Sequence, residues 1–149
     1  MTAYLSNELA GTTTGTTTAA ATGYKPVSTV YGARLKRFRA NVTYASQTTS
    51  DTITLANVPA GYTFAFGVLT ADTSSGSTTL AIGTSASTAK YKAAAAFTAT
   101  DTPTLFGKSA VVGNATPLAS EEAIILTLAA ATAPSSGLLT IDLYFTAPN

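Results

Sequence analysis

The amino-acid sequence predicts an all-β protein, two antiparallel sheets packed as a sandwich or closed into a barrel, preceded by an extended N-terminal arm. Three observations predict it. From residue 28 onward, apolar residues recur at every second position in most segments, which is the period of a half-buried strand. Turn-forming clusters such as "NVPAG", "ADTSSGS" and "PSSG" separate those segments at intervals that suit about eight short strands. The chain before them contains "AGTTTGTTTAAATG" at 10–23, without one large side chain. Such a stretch buries too little apolar area to offset a backbone entropy loss of about 1–2 kcal/mol per residue.

A chain of 149 residues with 46% hydrophobic content supports one core, so residues 1–27 are assigned to the arm and 28–149 to the β domain. The anchors around the arm are Tyr4, Leu5 and Leu9 before the low-complexity run, and Tyr24, Pro26 and Val27 after it. It reads either as a loose chain end or as an arm that orders on a neighbouring subunit with its aromatic residues as anchors.

The elements follow in order. In "FRANVTY", Phe38, Ala40, Val42 and Tyr44 alternate with Arg39, Asn41 and Thr43, one row for the core and one for the outside. Tyr31, Ala33 and Leu35 have the opposite parity, which predicts a bulge, a kink or a break between two strands near Lys36 and Arg37, at a sheet margin. "DTITLANV" places Ile53 and Leu55 on one face, and "YTFAFGVLT" places Tyr62, Phe64, Phe66 and Val68 on one face. "TTLAIG" has Leu80 and Ile82 together. "STAKYKAAAAF" is the segment with helical propensity, limited by its length to two or three turns. "TPTLFGKSAVVG" has room for one or two short strands. The last two strands carry Ile124, Leu126 and Leu128, then Leu139, Ile141, Leu143 and Phe145, and "PSSG" between them predicts a closing hairpin.

Composition excludes much chemistry. There is no His and no Cys, so the Ser/His/Asp and Cys/His nucleophile systems and the usual zinc sites cannot be built. Asp72 in "ADTSSGS" lacks the following acidic residues of a calcium loop and reads as a turn. Glu121 and Glu122 are neighbours, point to opposite faces of a strand and read as solvated charges. The glycines at 11, 15 and 23 are too far apart to cradle a phosphate. "AKYK", with Lys90 and Lys92 around Tyr91, suits an exposed face with snorkelling lysines better than a base-stacking site. No catalytic residue, cofactor site or metal site is therefore assigned, nor any small-molecule substrate or specific nucleic acid. No basic start followed by an apolar run marks a secretory leader, and no window of 18 apolar residues marks a membrane span. A product made and kept in the cytoplasm, unless cell lysis releases it, is expected.

Charge is scarce and uneven. Charged residues make up 10% of the chain and the net charge is +1, a combination that favours association. Of eight Lys and Arg residues, four (Arg34, Lys36, Arg37 and Arg39) lie in "RLKRFR". These four, with Tyr24, are the candidate protein-interface residues, since the Arg fork pairs two carboxylate oxygens at once. The other reading is a solvated strand end whose charges discourage edge pairing.

"VPAGYTFAFGVLT", "GSTTLAIGTSASTAKYKAAAAF" and the closing "AIILTLAAATAPSSGLLTIDLYFTAPN" together resemble small virion proteins of tailed bacteriophages, in particular the capsid decoration, or cement, class. The resemblance covers about residues 50–149. It implies a jelly-roll sandwich, a non-enzymatic structural role on the capsid surface of the virion, the major capsid protein as partner and a homotrimeric state. A phage tail, fibre or receptor-binding sandwich module is the alternative.

Overall fold

The protein is described by a computed structural model over residues 33–113 and 116–147. The predicted arm, with Tyr24, and residues 28–32 lie outside the described residues. Alternating sequence becomes strand wherever one row finds a core. The strands are β1 (Arg34–Thr43), β2 (Thr52–Val58), β3 (Thr63–Ala71), β4 (Thr79–Gly83), β5 (Lys92–Ala96), β6 (Thr104–Phe106), β7 (Glu122–Ala129) and β8 (Leu138–Ala147), with a single-turn helix α1 (Ser109–Val112) after β6.

They form two four-stranded antiparallel sheets, ordered β1-β8-β3-β6 and β2-β7-β4-β5. The first strand pairs with the last, the second with the seventh, the third with the sixth and the fourth with the fifth. That nesting is the eight-stranded jelly roll, which folds one long antiparallel ribbon into two facing sheets. The sandwich is the predicted fold class.

The rows read from β4, β7 and β8 are the core. Leu80, Ile82, Ile124, Leu126, Leu139, Ile141 and Phe145 are fully buried, and each such side chain contributes about 1.5–3 kcal/mol. Phe145 gathers the aromatic part, with ring centroids 5.7 Å from Phe38, 5.3 Å from Phe64 and 6.1 Å from Tyr91.

Four local expectations are corrected. β1 runs unbroken through Lys36 and Arg37, in continuous register from Arg34 opposite Ala147 to Thr43 opposite Leu138. Leu35 needs no change of parity because it sits half-exposed on the outer face. "KAAAA" at 92–96 is strand β5, because its backbone pairs with β4 and Tyr91 just before it is buried in the core; a helix would lose both. The bulge that falls between Phe64 and Phe66 in the pairing of β3 with β8 reverses parity. Phe64 therefore enters the core, whereas Phe66 stacks on Tyr144 at 4.6 Å on the outer face and Val68 shares that face opposite Asp142. Finally, β7 and β8 do not form a hairpin but belong to different sheets. Residues 130–137 carry the chain across the sandwich, turning at Ala130 and Gly137, both with positive φ. Each strand's inward row is then satisfied from the opposite side of one core. The expectation for β2 holds, with Ile53 and Leu55 both against the core.

Candidate interaction site

Among the described residues β1 is an edge strand, hydrogen-bonded to β8 alone, so the basic run lies at a sheet margin. Strand alternation divides it. Arg34 and Lys36 share parity with Phe38, whose ring packs on the core, yet both remain exposed. Arg37 and Arg39 point to the outer face.

There they meet Asp142 of β8, which lies opposite Arg39 in the register. Arg39 donates through Nε to Oδ1 and through a terminal nitrogen to Oδ2, both at 2.7 Å, the two-pronged geometry that makes Arg–carboxylate pairs strong. Arg37 Nε stands 3.9 Å from the same carboxylate. Asp142 is 8% exposed, the one buried charged residue among the described residues. The hydrogen bonds from Arg39, reinforced by the charges of Arg39 and Arg37, hold its carboxyl below the ordinary range against the opposing effect of burial, and the same pairing raises the Arg39 guanidinium. One carboxylate therefore takes two of the Arg39 donors, fewer than a guanidinium offers, and leaves Arg37 half-exposed with its donors largely free. Arg34 and Lys36 have no ion-pair partner among the described residues.

Around this charge the outer face of the sheet is mixed, polar at Asn41, Thr140 and Thr70 on one side and aromatic or aliphatic on the other. Register aligns Arg37, Tyr144 and Phe66 in one row, and Arg39, Asp142, Val68 and Leu105 in the next. Leu105 is 70% exposed and Leu35 50%.

A second cluster lies at the end of the sandwich where β7 begins. Glu122 shares inward parity with Ile124 and Leu126, and its carboxylate accepts the Tyr91 hydroxyl at Oε1 and the Lys90 ammonium at Oε2, 2.5 Å away. Burial, then the bond to Glu122, raises the Tyr91 phenol above its ordinary value. With Phe64, Val111, Pro117 and Leu118 these groups line a pocket of about 400 Å³. The expectation that Glu122 is solvated is thus corrected. So is the exposed "AKYK" face. Tyr91 is fully buried, and the Lys92 ammonium, lowered by burial, donates to the Leu80 carbonyl at 2.8 Å. The two-residue step from Glu122 to Ile124 was the signal, since alternate residues share a face. No sequence rule connects Asp142 to Arg39, 103 positions away.

Asp72 takes its place in a turn, as read. Its Oδ1 accepts the Leu138 amide at 2.8 Å, and the backbone donor lowers its carboxyl. Among the described residues no group of three or more His, Cys, Asp and Glu side chains is placed to hold a metal ion.

Comparison with solved structures places this architecture. A chain of the cyanophage Pam1 capsid asymmetric unit superposes with a TM-score of 0.62 at 20% identity, over 88% of this chain and 94% of that one. The fold is one found in bacteriophage capsids. A chain of the Ralstonia phage GP4 capsid gives 0.61 at 13% identity, over 78% of this chain and 86% of that one. A chain of the acidic stable capsid of Helicobacter pylori bacteriophage KHP30 gives 0.52 at 10% identity, over 78% and 95%. No protein-family profile and no curated protein sequence matches the chain.

Proposed function

We propose that this chain is a non-enzymatic structural protein of a bacteriophage virion, and that it decorates and cements the capsid by binding the shell of major capsid protein as a homotrimer on the outer surface. The observation that carries the reading is the near end-to-end likeness to a capsid chain, over 88% of one and 94% of the other. Such coverage leaves little of this chain to form a separate catalytic module. The lack of His and Cys supports the same reading by removing the common nucleophile and metal chemistries. A cement protein gains strength by repetition, since weak contacts multiplied over a symmetric oligomer act at high effective concentration, and a low net charge suits a chain that functions in an assembly.

Imaging of the phage particle that carries this chain tests the proposal. Jelly-roll density in many copies on the outer shell, grouped in threes, is the expected result. Density confined to the tail replaces the cement role with that of a tail or receptor-binding module, and absence from the particle removes the virion reading.

A further inference from the structure

The geometry points to the pocket at the start of β7 as a binding site for a small uncharged molecule, one with an apolar body and a hydrogen-bond donor beside an acceptor at one end, as in a primary carboxamide. The inference concerns the chain by itself and does not depend on its place in a virion.

Backbone hydrogen bonds hold both walls of the pocket. On one side, the Lys108 amide donates to the Tyr91 carbonyl and the Lys108 ammonium to the Ala89 carbonyl, both at 3.1 Å, which fixes the segment that bears Lys90. On the other, the Gly61 amide donates to the Leu118 carbonyl at 2.7 Å and the Leu118 amide to the Tyr62 carbonyl at 2.8 Å. The polar end is held as firmly. Tyr91 is fully buried, its ring centroid 4.6 Å from that of Phe64, and its hydroxyl donates to Oε1 of Glu122. Burial, then that bond, keeps the phenol protonated at neutral pH. Lys90 donates to Oε2 and stands 5.2 Å from the Tyr91 ring centroid. Walls and polar groups already in place lose little freedom when a ligand enters.

The bonds left unused select the ligand. A carboxylate oxygen accepts more than one hydrogen bond and an ammonium donates more than one, so Glu122 keeps acceptor sites and Lys90 keeps donors beyond the bond that joins them. Both side chains are partly exposed, at 21% and 30%, and both line the pocket. An acceptor and a donor thus stand side by side, 2.5 Å apart. A primary carboxamide presents the complementary pair, its N–H to Glu122 and its carbonyl to Lys90. Lys90 and Glu122 are the charged groups of the lining and they cancel. A charged ligand therefore brings in a charge without a counter-charge, and a zwitterion must desolvate both of its own, whereas a neutral one pays neither penalty. Phe64, Val111, Pro117 and Leu118 enclose the apolar body in about 400 Å³, within the roughly 300–1,000 Å³ of small-molecule sites.

The test titrates the isotope-labelled full chain at neutral pH with benzamide, benzoate and benzylamine, which share an apolar body and differ in the charge of the polar end. In wild type, benzamide is expected to shift the amide resonances of Tyr91, Val111, Leu118 and Glu122 saturably, with a Kd on the order of 1 mM. Benzoate and benzylamine are expected to bind at least about threefold more weakly. Glu122→Gln leaves Lys90 unpaired and should turn the preference to benzoate; Lys90→Met leaves Glu122 unpaired and should turn it to benzylamine. If either variant loses its dispersed spectrum, the other decides, and if both do, the wild-type order of the three ligands decides. Equal affinity for all three in wild type makes the pocket an apolar crevice without selection by the ion pair. Folded variants that keep the wild-type order place the ligand elsewhere, and the absence of saturable shifts leaves no site; any of these results overturns the inference.

Discussion

The two sheets share one core and differ in what they show to the outside. Inward, both present the same chemistry, Leu69, Leu139, Ile141 and Leu143 from one sheet and Leu80, Ile82, Ile124 and Leu126 from the other, all buried. Outward, the β1-β8-β3-β6 sheet carries Arg37, Arg39, Asp142, Tyr144, Phe66 and Leu105 beside a polar row of Asn41, Thr140 and Thr70. The β2-β7-β4-β5 sheet has Thr52, Thr54, Asn57, Ala123, Ile125 and Thr127 along the outer side of β2 and β7, without a charge among them. The inner rows must be apolar because the hydrophobic effect holds the sheets together; the outer rows are released from that demand. The outer rows are therefore where the two sheets are free to differ most.

The largest expected effect tests the shared core. Phe145→Ala should cost about 3–5 kcal/mol, the loss of a buried ring and the cavity it leaves. Its neighbour Tyr144→Ala, which loses an outer-face stack on Phe66, should cost about 1 kcal/mol. Urea unfolding of the two variants measures this inside–outside contrast, and equal losses would break it.

A smaller effect probes how the charged sheet is finished at its far edge. A Cβ on Gly67 would stand 2.1 Å from Cζ of Phe106, so Gly67→Ala should push the Phe106 ring aside and loosen β6, at about 1–3 kcal/mol. Hydrogen exchange should then quicken in β6 while β7 keeps its protection.

The smallest concerns the ion pair itself. Arg39→Ala leaves Asp142 mostly buried with Arg37 alone nearby, and should lower stability at neutral pH by less than the core and sheet-edge variants, since Arg39 is half-exposed and solvent weakens the pair. The Asp142 carboxyl is lowered on folding, so its contribution is fully present above the unfolded value of about 3.9 and disappears as pH falls through the folded value. Urea midpoints at pH 7 and pH 3 should therefore lie closer together in Asp142→Asn than in wild type. The outer face of the other sheet offers the control: Thr54→Glu, lacking any such partner, should change stability by no more than about 0.5 kcal/mol at either pH.

The sequence by itself determined the fold class and most of the rows. Alternation at Leu80 and Ile82, at Ile124 to Leu128 and at Leu139 to Phe145 is local, because successive side chains of a strand point to opposite faces whatever strand lies beside it. The inward turn of Glu122 was legible by that same count from Ile124. What alternation cannot specify is partnership. That β7 and β8 lie in opposite sheets, that β5 is drawn into a strand against its Ala-rich composition, and that the bulge beside Phe64 sends Phe66 outward all depend on which backbone groups pair across the fold. The basic run shows the division most plainly. Its four charges are read from consecutive residues, but the parity break that suggested a sheet margin is absent; the margin follows from the pairing of β1 with β8 alone, and only the nesting of the first strand against the last brings Asp142 to Arg39. Electrostatic partners are chosen by distance in space, and the antiparallel roll of the chain sets that distance.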